Sequence, residues 1–174
     1  TNANFNRQDF IKRIKEGIEL KNRLLSELKK SGQSLGKDAP GCVEWNSTDD
    51  STYDKFAETV GLLSIKNEDV RSLKSLVLFG IKGMAAYAHH AEMLEYKNSE
   101  IHSFFHKALS IIASDTEDIQ LLFNLVLECG KYGVDVMSLL DKANTTTYGN
   151  PEITEVNIGV GKNPGILISG HDLK

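Results

Sequence analysis

The chain has 174 residues, 40% of them hydrophobic and 25% charged, with a formal net charge of -4. Those values suit one folded domain able to bury a sizeable core, with room for a fragment of a second. The acidic balance argues against a nucleic-acid partner, which needs clustered Lys and Arg, and no apolar run approaches the roughly 20 residues that cross a bilayer.

The opening Thr1-Asn-Ala-Asn-Phe-Asn6 is polar and uncharged, unlike a secretory signal. Cys42 and Cys129 lie far apart and form no CxxC pair, which fits a reducing compartment and a cytoplasmic location.

In chain order, a first helix is predicted from near Asn6 or Asp9 to about Lys30, with Ile11, Ile14, Ile18, Leu25 and Leu28 at helical spacing. Ser31-Gly32 ends it. Residues 33 to 50, with Gly36, Pro40 and Gly41, read as a loop, and the only Trp, Trp45, pins that loop onto the helices. Ser51 or Thr52 caps a short helix from Tyr53 to Val60, closed by Gly61. Asn67-Glu-Asp69 starts a long helix, a capping side chain followed by two acids at the positive end of the macrodipole. It is expected to reach about Tyr96 and to bury Val70, Leu73, Leu76, Val77, Ile81, Met84, Ala88, Ala91 and Leu94. Gly80 and Gly83 make part of its surface small and predict a tight helix crossing.

Asn98-Ser99 opens a further helix carrying Ile101, Phe104, Phe105, Ala108, Leu109 and Ile112. The run from Ser114 to Asp118 opens the last, with Ile119, Leu122, Leu125, Val126, Cys129, Tyr132, Val136 and Leu140, ending near Lys142. Gly130 and Gly133 sit mid-helix at about 1 kcal/mol each relative to Ala, which implies a packing reason. The fold class is therefore mainly α, an up-down three-helix-type bundle with short extra helices over residues 1–146.

After Thr145 the texture changes to Gly, Pro, Asn and β-branched residues. Residues 147–174 read as a linker and the first strand or strands of a truncated α/β, Rossmann-like domain. Ile153 to Ile158 alternates weakly; Pro164-Gly165 is a turn, and Ile166-Leu-Ile168 is a short apolar run suited to a buried strand. His171 then stands at the strand's carboxyl end, where open α/β sheets bind ligands. A first strand without a partner implies a piece of a larger protein.

The chemistry-bearing groups differ in weight. His102 and His106 are four apart on one helix face, a spacing that holds zinc; without a third ligand, and with Lys107 adjacent, a solvated face is the better reading. His89-His90 with Glu92 has the reverse order of the Glu-x-x-His pairs in carboxylate-bridged metal bundles. Cys129 on an apolar face reads as a small core residue. Gly159-Val-Gly-Lys162 lacks the remaining elements of a phosphate loop. His171 is preceded by Gly170 and followed by Asp172, a carboxylate able to fix its tautomer, and its functional and structural readings stand about even.

Three stretches go further: Asn67-Glu-Asp-Val-Arg-Ser-Leu73, Gly80 through His90, and Thr146-Thr-Tyr-Gly-Asn-Pro-Glu152 through Asn163-Pro-Gly-Ile-Leu-Ile-Ser-Gly-His-Asp-Leu173. Together they resemble the hybrid cluster protein (prismane) family of hydroxylamine reductases, over about residues 50 to 174. The resemblance implies a large iron-sulfur oxidoreductase with a cubane cluster and a hybrid iron-sulfur-oxygen cluster, distantly similar to nickel carbon monoxide dehydrogenases. It implies an amino-terminal helical domain followed by two α/β domains, with the hybrid cluster where they meet. His171, in the Gly-His-Asp motif, is the implied iron ligand; catalytic residues are not identified.

The resemblance places a cysteine-rich cubane segment ahead of the helical domain, outside these 174 residues, and the other hybrid-cluster ligands after the Gly-His-Asp motif. The expectation is therefore a fragment that binds no cluster and is inactive alone. Its parent would reduce hydroxylamine to ammonia, or related nitrogen oxides such as nitric oxide. The implied partners are a small nitrogen-oxide substrate, a redox electron donor and the remaining domains of the same polypeptide, with no nucleic acid and no membrane. The alternative is a non-catalytic helical interaction module held together by Phe104, Phe105 and Tyr132.

Overall fold

The computed structural model describes residues 6–36 and 39–167. Among the described residues six α-helices follow one another: α1 (Arg7–Lys30), α2 (Gly41–Glu44), α3 (Tyr53–Val60), α4 (Glu68–Met93), α5 (Ser99–Ala113) and α6 (Ile119–Tyr148). Single 3-10 turns at Asp50–Thr52 and Leu62–Ser64 flank α3.

The helix starts follow the capping chemistry. Asn67 Oδ1 accepts from the backbone N–H groups of Asp69 and Val70, and Asn98 Oδ1 accepts from Glu100 N–H. Such caps contribute about 1 kcal/mol each. One start differs from expectation. The side chain of Asp49 caps the 3-10 turn that leads into α3, so neither Ser51 nor Thr52 serves as the side-chain cap. Within the run expected to open α6, Asp118 is the cap, through Leu121 N–H.

Two ends differ as well. α4 stops at Met93, short of Tyr96, because Glu95 adopts φ 67° and Tyr96 N–H turns back to the Ala91 carbonyl. This is the reversal that satisfies the last carbonyls of a helix, here without the usual glycine. α6 runs past Lys142 to Tyr148, where Gly149 at φ 87° ends it.

The core is an up-down-up bundle of α4, α5 and α6. Buried positions on α4 are Val70, Lys74, Val77, Ile81, Met84, Ala88 and Ala91, spaced alternately four and three apart. On α6, Leu122, Leu125, Cys129, Val136 and Ala143 are buried, and Tyr132 and Leu139 pack against the core. These are heptad seams, which keep two long helices in register at a shallow crossing angle. Gly80 lies against Cys129 and Gly133 against Met84, a constant offset that makes α4 and α6 parallel. α5 runs antiparallel between them: Lys107 Nζ lies 2.6 Å from Glu128 Oε2, and Phe104 stacks on Tyr132 with ring centroids 4.4 Å apart. Ile101, Phe104 and Ala108 carry its buried face. Fully burying a side chain such as Ile101, Leu122 or Val77 contributes about 1.5–3 kcal/mol.

The heptad phase corrects part of the expected core. Leu76 and Ile119 are exposed, as is Leu109 on α5, while Lys74 is buried. The close approach foreseen at the glycines holds at Gly80, where a Cβ would stand 2.6 Å from Cys129 Sγ; a Cβ at Gly83 or Gly130 would meet nothing within 4 Å.

α1 lies outside this bundle and buries only Ile11. It is tied to the following loop by Lys21 Nζ donating to the Trp45 carbonyl, by Asn22 to Asn46 (2.8 Å), and by Arg7 to Asp54 on α3 (3.2 Å). Trp45 stacks on Phe56 at 4.2 Å and meets Tyr53 edge-on at 5.3 Å, so it does pin the loop, and it does so onto α3.

No strand occurs among the described residues after α6. Residues 150–167 are irregular, and Ile153, Val156, Ile158, Val160, Ile166 and Leu167 are exposed. The expected strands at Ile153–Ile158 and at Ile166–Leu167 are therefore not formed here, and Ile168 lies outside the described residues. A strand needs a neighbour to satisfy its N–H and C=O groups, and this segment meets none among the described residues.

Two outcomes follow. Gly80→Ala should lower stability by about 1–3 kcal/mol through overpacking against the thiol. In a Cys129→Ala background the same change should become neutral or stabilising by up to about 1 kcal/mol, since Ala is the better helix former; urea denaturation of the four proteins reads both signs. Trp45 fluorescence should change at lower urea than the far-ultraviolet helical signal, because α1, the loop and α3 hold to the bundle by few buried contacts. Coincident transitions would contradict that gradient.

Candidate functional site

The imidazoles come first. Asn98 starts α5 so that Ile101, Phe104 and Ala108 face the core, which turns His102 and His106 outward; both are exposed. His102 packs its edge near the Phe105 ring, with centroids 6.1 Å apart. On α4, His89 is exposed and His90 half-buried. Glu92 ends up near both helices' histidines. Lys97 Nζ stands 2.6 Å from its Oε1 and holds its carboxyl below the usual range, with smaller contributions from the charges of His102 and His89. The charges of His102 and His89 thus act on Glu92 only as minor contributions beside Lys97. Lys97 already occupies the carboxylate. Among the described residues, no group of three or more His, Cys, Asp and Glu side chains is placed to hold a metal ion. The segment holding Gly159 and Lys162 is exposed, and Gly159 N–H bonds to Asn157 Oδ1 at 2.9 Å, a local turn.

The thiols stand in contrasting settings. Cys42 is exposed on α2; Cys129 is buried on α6, and burial pushes its thiol up from the ordinary range. A raised thiol is a poor nucleophile and a poor metal ligand.

Lys74 was missed by the sequence reading. It is 3% exposed, and its Nζ donates to the Ser114 carbonyl at 2.6 Å, at the C-terminal end of α5. Desolvation lowers its pKa, opposed by the charges of Asp115 and Glu117. A cation at a helix C-terminus is favourably placed against the macrodipole. The signal was available, because position 74 falls on the four-three series of α4; the lysine was passed over for its charge.

His171 lies outside the described residues. What the structure does describe is its approach: α6 ends at Gly149, and residues 150–167 follow as an exposed, irregular stretch.

A family model described as the Prismane/CO dehydrogenase family matches residues 1–174, the whole chain. The chain belongs to the Prismane/CO dehydrogenase family. It is 55% identical over 174 residues to a protein of Clostridium novyi named hydroxylamine reductase, 51% identical to one of Thermoanaerobacter pseudethanolicus, and 48% identical over 179 residues to one of Natranaerobius thermophilus, both of the same name. In each case all of this chain is covered, and 32% of the relative. The chain therefore spans about a third of the length of these relatives.

The iron-sulfur clusters implied for a Prismane-family protein need thiolate ligands in close array. The described residues do not fit one. Cys129 is enclosed against Gly80, Cys42 stands on α2, and no donor group of three surrounds either. No chemical step is derived through a cluster from these residues.

Cys129 and Lys74 give opposite pH slopes. Unfolded Cys129 loses its proton in the ordinary thiol range while the folded chain retains it, so stability falls as pH rises through and above that range. Folded Lys74 loses its proton below the ordinary lysine range, so between its two pKa values the unfolded chain binds more protons and stability rises with pH. Cys129→Ala should remove the alkaline decline, and Lys74→Met should steepen it. Urea midpoints from neutral pH into the lysine range measure both slopes.

Proposed function

We propose that this chain is the helical part of a hydroxylamine reductase. The observation that carries the reading is identity of 48–55%, along the whole chain, to proteins of that name. Membership of the Prismane/CO dehydrogenase family supports it, as does the Gly170-His171-Asp172 motif.

On this reading the parent protein reduces hydroxylamine, or a related nitrogen oxide such as nitric oxide. With hydroxylamine, two electrons and two protons cleave the N–O bond and release ammonia and water. The chemistry belongs to a hybrid iron-sulfur-oxygen cluster, fed by a cubane cluster and an electron donor. Residues 147–174 lead into an α/β domain, and His171 would hold iron through a ring nitrogen. The remaining ligands come from the rest of the polypeptide, so the 174-residue chain binds no cluster and is inactive by itself. A reducing, cytoplasmic setting suits such clusters and the two free thiols. Among the described residues no helix is long and apolar enough to cross a membrane.

The interaction-module reading is not favoured. The relatives matched along the whole chain are named hydroxylamine reductase; Phe104 stacked on Tyr132 in the α5/α6 seam is compatible with either reading.

The test compares the full-length parent, its His171→Ala variant and the 174-residue chain after anaerobic iron-sulfur reconstitution. The parent should carry stoichiometric iron, a cluster EPR signal and hydroxylamine turnover. His171→Ala should change the EPR signal and cut turnover at least tenfold, about 1.4 kcal/mol or more in transition-state free energy. The short chain should bind no iron. Unchanged spectra and rate in the variant overturn the role of His171, and stoichiometric cluster absorption in the short chain overturns its silence.

A further inference from the structure

α5 covers only one side of the α4/α6 pair. On the other side the two parallel helices leave an open groove of about 390 Å³, with Leu76, Phe79 and Tyr87 on one wall and Val126 and Met137 on the other. The walls stand out into solvent: Phe79 is 65% exposed, and beside the groove on α6 Leu127 is 59% and Val134 62% exposed. Gly83 and Gly130 lie in the groove, and a Cβ on either would meet nothing, so a third backbone can approach closely there.

No Asp, Glu, Lys or Arg lines the groove. Transient partners meet through surfaces with a polar, charged rim, whereas permanent interfaces resemble a domain core cut in half. An apolar face of this kind marks a site of interaction. The relatives are about three times as long as the stretch they share with this chain. A segment of that remaining length, joined covalently, reaches the groove at high effective concentration.

We propose that the groove between α4 and α6 seats an apolar segment from the part of the parent polypeptide outside these 174 residues, completing the bundle that α5 closes on the opposite side. The proposal rests on the parent being longer, as in the proposed function, and not on the reaction it performs.

Radiolytic side-chain footprinting of the full-length parent tests it, with the urea-unfolded parent as reference. Phe79, Tyr87 and Met137 should oxidise severalfold more slowly in the folded, monomeric parent than in the unfolded one. In the folded 174-residue chain the same side chains should oxidise at close to the unfolded rate. Oxidation as fast in the folded parent as in the unfolded one overturns the proposal. So does protection that appears only as rising concentration drives dimerisation, which would assign the groove to a second copy. As a second measurement, Leu127→Asp should lower the thermal midpoint of the parent and leave that of the short chain unchanged; equal effects also overturn it. Iron content and hydroxylamine turnover are read separately. An active parent with an open groove fails only this inference, and an inactive parent with a protected groove fails only the functional reading.

Discussion

Everything in this fold depends on how closely α4 and α6 approach at Gly80. A Cβ there would stand 2.6 Å from the Cys129 sulfur, nearer than atoms of those sizes tolerate. The absent side chain lets the two heptad seams come together at the level of Cys129. Parallel neighbours cannot be joined by a short hairpin, so the chain must run back between them, and α5 with its two capped turns is that return. The up-down-up order follows from one steric allowance and one connectivity requirement.

Lys74 shows how the return is anchored. Burying an ammonium group is costly unless it is satisfied, and the fold answers by ending α5 on it, with the Ser114 carbonyl as acceptor. Acids at positions 115 and 117 add attraction from the connecting turn. The Lys107–Glu128 pair on the surface of the same seam contributes at most about 1 kcal/mol, because solvent screens it. α1 belongs to a different regime. Its links to the Trp45 loop and α3 are mainly polar and exposed, the aromatic stack joins that loop to α3, and the 3-10 turn at Leu62–Ser64 meets α4.

The functional picture divides along the same line. The bundle carries the mass of the chain, while the groups able to do chemistry are few and either buried for packing, like Cys129, or solvated, like His102 and His106. The Gly-His-Asp motif was legible from residue types and order alone. The Glu92–Lys97 pair was not, since it depends on the turn at Glu95 that follows α4. Family membership rests on the match along the whole chain, while the helical architecture accounts for how the described residues pack; a reactive centre elsewhere in a longer polypeptide is part of the proposed function alone.

Sequence by itself determined the five longer helices and nearly all their starts, because capping and apolar periodicity act within a few residues of each other; the four-residue α2 falls inside the stretch read as a loop. It also determined the family, since the motifs are contiguous strings. Tertiary structure decided which side of each helix is the inside. Leu76 and Lys74 sit two positions apart on α4, and hydrophobicity alone ranks them the wrong way round; the packing of α6 and α5 buries the lysine and leaves the leucine in the open groove. It likewise decided that Ile166 and Leu167 form no strand among the described residues, because a strand is a property of a pair of segments and not of one.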